Sequence, residues 1–227
     1  MRLYQRNVLR IITSACTISP SLSSSKRKIG VNKQFFFISH FGATFKGLMQ
    51  IPLSYRRFAL ASNSKVSEQF ITSLDEAKDY AEVWQIVKET AAYALSKRRD
   101  SMMLFLDDLP LQLGAYYPVG TNNIVLNRAL VEIVKVSMKD KPTVNALIYN
   151  LLLHEYLHAL GEMSETGVRR AVVEVAKKSF GETHIATVVA CKSPWVLLKD
   201  IPLGPYNAPK RVMENVRDFE KTGKYVV

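Results

Sequence analysis

Cysteine is nearly absent from this sequence, and acidic residues are wholly absent from its first 67 positions. Cys16 and Cys191 are the two cysteines among 227 residues. They are far apart in sequence, which argues against a disulfide-stapled domain and fits a reducing compartment. No apolar run reaches the roughly 18 residues that a membrane helix needs, which argues against an integral membrane protein. We therefore expect an intracellular protein whose core is stable without covalent cross-links.

The positive charge of the chain is concentrated at its N-terminal end. Residues 1–67 hold eleven of the 31 Lys and Arg residues and none of the 20 Asp and Glu residues, so residues 68–227 carry twenty charges of each sign. A basic, Ser-rich segment without acids is typical of an organelle transit peptide, or it is upstream sequence translated from a start codon placed too early. We predict a leader over 1–67 and a working domain over 68–227, located in the cytoplasm or, if the leader is a transit peptide, in the mitochondrion. The neutral domain argues against nucleic acid as a partner.

The hydrophobic pattern of the working domain predicts a mixed α+β fold. Two short apolar runs, "SMMLFLDDLP" and "NNIVLN", predict strands, and the asparagines of the second place it near a sheet edge. Apolar residues at helical spacing predict several helices. These helices cover 74–97, capped by Ser73, then 143–160, ended by Gly161, then a helix ended by Gly181, and one that starts near His184, capped by Thr183. The expected architecture is a small mixed sheet packed on a helical bundle.

The most informative segment is "LLLHEYLHALGEMSE", residues 151–165. On a helix, His154 and His158 lie one turn apart on the same face, so their imidazoles can bind one metal ion. Two neutral imidazoles suit zinc best among the common divalent cations. Glu155 is rotated by about 100° from His154, which places it beside the ion, where it can take a proton from a zinc-bound water.

The third ligand is not fixed by this spacing, although a catalytic zinc normally has three protein ligands. His184 is the other histidine of the domain, and a helix that folds back over the motif helix could bring it to the metal. Glu165 and Glu174 are the alternatives. The predicted ligands of one zinc ion are His154, His158 and His184, with Glu155 as the general base.

The segment "HEYLHALG", preceded by the "IVLN" strand and a helix, resembles the zincin superfamily of zinc metallopeptidases, and in particular small SprT-like and archaeal HExxH proteins. The resemblance covers about residues 100–195. It implies a zincin-like domain that hydrolyses a peptide or protein substrate with a metal-activated water. It also implies that the strand Asn123–Asn127 binds an extended peptide by β-addition.

The resemblance leaves two parts of the site open. Zincins usually stabilise the oxyanion with a tyrosine or a histidine, for which Tyr116, Tyr117 and Tyr206 are candidates. Metzincins continue the motif as HExxHxxGxxH, and here Gly161 matches the glycine whereas Ser164 occupies the position of the third histidine.

Two other functions remain open. An RNA-processing metalloprotein is one, because a bacterial rRNA-maturation family shares His154, His158 and Gly161 of this pattern, although Glu155 and the neutral charge of the domain argue against it. A non-catalytic binding module stabilised by zinc is the other, and such a module would have no use for Glu155.

Overall fold

The computed structural model describes residues 53–199, 201 and 210–220, with side chains from residue 64 onwards. These residues form six α-helices and one four-stranded mixed sheet, which confirms the predicted α+β class. None of these helices is long and apolar enough to cross a membrane. The helices are α1 (Leu53–Glu76), α2 (Tyr80–Leu95), α3 (Arg128–Met138), α4 (Lys141–Ala159), α5 (Glu165–Phe180) and α6 (Ile185–Lys192), followed by a short 3-10 helix (Pro194–Leu198). The strands are β1 (Met103–Asp107), β2 (Ala115–Tyr116), β3 (Asn123–Asn127) and β4 (Glu214–Asn215).

Helix α1 passes through residue 67, the position at which the sequence predicts the leader to end. Leu74, in the last turn of α1, is fully buried, and Phe70 packs against the same core. The working domain therefore includes at least the C-terminal part of this helix. Residues 1–52, which make up most of the predicted leader, lie outside the described residues.

The predicted single helix over 74–97 is wrong, because the chain breaks between α1 and α2. The side chain of Asp79 accepts a hydrogen bond of 2.9 Å from the backbone N–H of Glu82 and so caps the start of α2. The predicted cap, Ser73, lies inside α1. The apolar pattern continues across the break because residues on both sides of it face one core.

The sheet has the strand order β2-β3-β1-β4, with β1 and β3 parallel and the two outer strands antiparallel to their neighbours. Both predicted strands are present, and β3 lies near an edge but not at it, since β1 pairs with one of its sides and the outer strand β2 with the other. The asparagine that suggested an exposed face is used inside the fold. Asn127 is fully buried, donates to the carbonyl groups of Leu109, Pro110 and Leu113, and caps α3.

Helix α4 is the central element of the domain. Asp140 caps it, Pro142 lies in its first turn, and almost every residue from Val144 to Ala159 is buried. A helix that is apolar on all sides belongs in a core, and helices α2, α3, α5 and α6 and the strands β2 and β3 pack against α4. Each fully buried leucine contributes roughly 1.5–3 kcal/mol of transfer free energy. Polar side chains on such a helix therefore need specific partners.

The segment 210–220 completes both the sheet and the core. Its strand β4 pairs antiparallel with β1. Phe219 stacks on Trp84 with ring centroids 4.8 Å apart. The carboxylate of Glu220 forms a buried ion pair with Lys88 and accepts a hydrogen bond of 2.5 Å from the backbone N–H of Met102. This segment is therefore part of the folded domain.

Candidate metal centre

The two histidines of α4 meet the first residue of α5. The Nε2 atoms of His154 and His158 lie 3.3 Å from the two carboxylate oxygens of Glu165, one oxygen for each ring. The imidazole rings are 5.1 Å apart at their centroids. The ligand atoms of these three residues all lie within 4.8 Å of one another, so the group could hold a metal ion.

A tight turn brings Glu165 back to the histidines. The N–H of Gly161 donates to the carbonyl of His158 and the N–H of Glu162 donates to that of Leu157, which is the pair of bonds of a Schellman helix end. Gly161 has a φ of 100°, a backbone conformation that side chains with a Cβ rarely adopt. Ser164 then caps α5, which makes Glu165 the first residue of the new helix.

The distances between the Nε2 atoms and the carboxylate oxygens are compatible with one small divalent cation held by the three side chains. Two ligand atoms bound at about 2.0–2.1 Å and at a tetrahedral angle lie about 3.3–3.4 Å apart. The two distances to the oxygens of Glu165 are 3.3 Å. A charge-assisted N–H···O bond is shorter, at about 2.7–2.9 Å. Each of the two distances thus matches one edge of a tetrahedral site, and the two edges end on different oxygens of the Glu165 carboxylate.

The ring of His158 is held in the orientation that a metal ligand needs. Its Nδ1 lies 2.8 Å from the carbonyl oxygen of Glu162, so Nδ1 carries the proton and Nε2 is left as the ligand atom. The hydrogen bond to Glu165 raises the pKa of His158. The two imidazoles in turn hold the pKa of Glu165 well below its usual range. The carboxylate is therefore ionised, as a ligand must be.

Glu155 lies beside this group and is not one of its three members. Its side chain is buried on α4, and burial raises the pKa of its carboxyl group, while the neighbouring His154 and His158 act in the opposite direction. The backbone of Tyr117 acts in the same direction as the histidines, with the smallest effect of these neighbours. Glu155 is thus a buried acid close to the metal-binding group.

The outer strand β2 runs along α4 on this side of the sheet. Gly114 lies against Leu151, so closely that a Cβ at position 114 would come within 2.5 Å of the leucine side chain. The N–H of Asn127 donates to the carbonyl of Gly114. Because hydrogen bonding alternates along an antiparallel ladder, Ala115 and Tyr117 direct their N–H and C=O groups away from β3. The backbone of Tyr117 lies near Glu155, and the N–H of Ala115 faces the outer edge of the sheet.

Arg99 joins the loop after β2 to the end of α4. Its guanidinium donates to the carbonyl of Ala159 at 2.7 Å, to the hydroxyl of Tyr117 at 3.2 Å and to the carbonyl of Thr121 at 3.1 Å. The hydroxyl of Tyr156, on α4, bonds both the N–H and the C=O of Arg99. This brace was not predicted from the sequence, since it joins three separate segments of the chain: Arg99 itself, the loop after β2 and the end of α4.

The tyrosines suggested as oxyanion donors have different positions. The hydroxyl of Tyr117 donates to the carbonyl of Thr121 and accepts from Arg99, so it is committed to its own loop. Tyr116 is half-buried on β2. Tyr206 lies outside the described residues. The hydroxyl of Tyr117 thus already has hydrogen-bond partners in its own loop and is not free to act as an oxyanion donor.

His184, predicted as the third ligand, is not brought to His154 and His158. Its Nδ1 accepts a hydrogen bond of 3.2 Å from the N–H of Ala186 and so caps α6, in place of the predicted Thr183. Its Nε2 lies 3.1 Å from a carboxylate oxygen of Asp75. Both ring nitrogens are therefore used: Nδ1 caps α6 and Nε2 joins it to the end of α1.

His184 packs beside the wrong part of α4 to reach the two histidines. Asn150 donates to the carbonyl of Ala186, and Asn145 donates to the carbonyl of Leu74, next to Asp75. The imidazole of His184 thus lies alongside the N-terminal half of α4. Asn145 and His154 are nine residues apart, which is roughly 14 Å along a helix.

The remaining alternative, Glu174, is exposed on α5 and is not a member of the metal-binding group.

Comparisons with known protein families, with curated proteins and with solved structures gave no significant match to this chain. Function must therefore be inferred from the geometry and chemistry of the chain itself.

Proposed function

We propose that this protein is a zinc-dependent peptidase whose metal ligands are His154, His158 and Glu165 and whose general base is Glu155. The observation that carries the proposal is the convergence of two Nε2 atoms on one carboxylate, with the carboxylate of Glu155 beside them. Two imidazoles and one carboxylate are a ligand set that zinc hydrolases use. Zinc bound there would polarise a substrate carbonyl and acidify a water molecule.

The proposed role of Glu155 follows from its position. It follows His154 directly on α4, so its carboxylate is near the group without being a ligand. A carboxylate in this position accepts the proton of the attacking water and then delivers it to the leaving nitrogen of the scissile bond.

The proposed substrate-docking element is β2, in place of the strand β3 that the resemblance to zincins first suggested. Strand β3 has a neighbour on each side, whereas β2 is an outer strand beside α4. The backbone groups of Ala115 that face away from β3 are suited to pair with an extended peptide. This placement puts a peptide backbone next to Glu155, and it supports a peptide in preference to a phosphodiester as the substrate.

The resemblance to zincins is consistent with this ligand set. Gly161 stands at the glycine of the metzincin pattern. Its φ of 100° turns the chain back towards the motif helix. Glu165 follows Ser164, the position of the metzincin histidine, by one residue. We propose that this carboxylate replaces that histidine as the third ligand.

The test is zinc content and peptide cleavage in the full chain with Glu155→Gln. We expect the variant to keep one zinc ion per chain and to lose cleavage of a fluorogenic peptide library by at least about 10²-fold. Glu174→Gln is the matched control, because it makes the same change of charge at an exposed position, and it should retain both properties. Full activity of Glu155→Gln with zinc bound would refute the proposed base. A zinc-bound wild type that cleaves RNA and no peptide would favour the RNA-processing alternative, and one that cleaves neither would favour the binding module.

A further inference from the structure

The turn between His158 and Glu165 contains Glu162, which contacts His158 before the turn and the start of α5 after it. The carbonyl of Glu162 bonds the Nδ1 of His158 at 2.8 Å. The carboxylate of the same residue accepts a hydrogen bond of 3.0 Å from the N–H of Ser164, the residue that caps α5 and precedes Glu165. One residue thus fixes the ring of one proposed ligand and the start of the helix that carries another.

The carboxylate of Glu162 also rests on the first turn of α5. A Cβ added to Gly167 would lie 2.6 Å from the Cδ and from one oxygen of this carboxylate. Glycine is a poor helix former, and alanine at a helical position is normally preferred. The glycine therefore leaves room for the Glu162 side chain at the N-terminal end of a helix, where a negative charge is also favourable.

We propose that Glu162 is a positioning residue that sets the distance between His158 and Glu165, and that Gly167 serves this role by leaving space for its carboxylate. The inference rests on the proposed metal centre and adds to it a reason for the sequence of the turn, Glu-Met-Ser-Glu followed by Thr-Gly. Without the bond to Ser164, the turn is free to change shape, and the oxygens of Glu165 lose their fixed distance from the two Nε2 atoms.

The test is the affinity of the full chain for Zn²⁺, measured by competition with a chromophoric chelator. We expect Glu162→Ala to weaken binding by about tenfold, the lower end of the range for residues that orient metal ligands. Glu162→Gln should stay within about twofold of the wild type, because its amide oxygen can still accept from Ser164. Thr166→Ala, an exposed change in the same helical turn, is the control and should leave the affinity unchanged.

Gly167→Ala provides the second, independent variant. The atom that its Cβ meets is the end of a flexible side chain, so the fold is retained while the carboxylate is displaced, and we expect the same loss of about tenfold. Because both changes act through one contact, the double variant Glu162→Ala with Gly167→Ala should bind Zn²⁺ no more weakly than either single variant. The visible spectrum of bound Co²⁺ should change in both single variants and not in Glu162→Gln.

Three results would overturn the inference while leaving the proposed metal centre in place. Wild-type affinity in Glu162→Ala and Gly167→Ala would show that the contact is not used. An equal loss in Glu162→Gln and Glu162→Ala would mean that charge, not position, matters. Losses that multiply in the double variant would mean that the two residues act separately. A wild-type chain that binds no Zn²⁺ would refute the proposed metal centre itself, and this inference with it.

Discussion

Replacing Glu165 and His184 by alanine, one at a time, separates a metal ligand from a structural histidine. Structural zinc sites with four ligands bind with about 10–16 kcal/mol, so one ligand contributes roughly 3–4 kcal/mol. This energy corresponds to a loss of about 10²–10³ in zinc affinity, at 1.4 kcal/mol for each factor of ten. We expect Glu165→Ala to show that loss. Its free energy of unfolding without zinc should fall by only about 0.3–1 kcal/mol, the value of an acid in a first helical turn.

His184→Ala should show the opposite pattern. The substitution removes the cap on Ala186, the bond of 3.1 Å to Asp75 and the stacking of the ring on Phe180, whose centroid is 5.1 Å away. These contacts contribute about 1 kcal/mol for the cap, about 1 kcal/mol for the hydrogen bond and about 0.5–1.5 kcal/mol for the stacked rings. The free energy of unfolding should therefore fall by about 2.5–3.5 kcal/mol, the sum of these contributions, with zinc affinity unchanged.

The assay is a zinc titration against a chromophoric chelator together with urea unfolding in the presence of a chelating agent. Glu174→Ala, which removes an exposed carboxylate from α5, is the control for both measurements and should match the wild type. If His184→Ala lost zinc affinity while Glu165→Ala kept it, the ligand set inferred from the structure would be refuted.

Three further predictions concern the parts of the fold that hold the site together. Arg99→Ala should lower the free energy of unfolding by about 2–3 kcal/mol, since the lost donors each contribute about 0.5–1.5 kcal/mol. A free energy of unfolding from urea denaturation that differs from the wild type by less than about 0.5 kcal/mol, the size of an ordinary surface effect, would contradict this. Gly161→Ala should lower the same quantity by about 1–2 kcal/mol, because alanine is strained at a positive φ, and unchanged stability in urea would show that the turn can relax. Hydrogen bonds from Arg211 and Arg128 hold the pKa of Asp108 well below its usual range, so this carboxylate stabilises the fold above its unfolded pKa of about 3.9 and loses that effect as the pH falls further. Asp108→Asn should therefore be clearly less stable than the wild type at pH 7, with a difference that shrinks at pH 3, and a difference that is equal at the two pH values would exclude this cause.

The part of the site that depends on local geometry could be predicted from the sequence. Two residues four apart on a helix must share a face, so His154 and His158 follow from the motif and the apolar run around it. The third position depends on a turn. Gly161 was predicted to end the motif helix, and the short connection from Gly161 to Glu165 is what places this carboxylate next to the histidines. The prediction chose His184 because histidine is a common zinc ligand, although the short connection after Gly161 favoured Glu165.

The features that could not be predicted arise from contacts between distant segments. His184 caps a helix, a role in which serine, threonine, aspartate and asparagine are commoner, so Thr183 was the better choice on propensity. Strand β2 has two residues and no pattern of its own, and without it β3 looks like an edge. Asn127 is polar because it satisfies three loop carbonyls inside the fold, a reason that the alternation of residues does not reveal.

The buried ion pair between Lys88 and Glu220 has a consequence for the order of events in folding. Its two members are 132 residues apart in the sequence, and an uncompensated charge in the core is strongly unfavourable. Until the segment around Glu220 docks, Lys88 must stay hydrated and Trp84 lacks the ring that stacks on it. Helix α2 is therefore expected to reach its final packing late, because contacts of such long range close slowly.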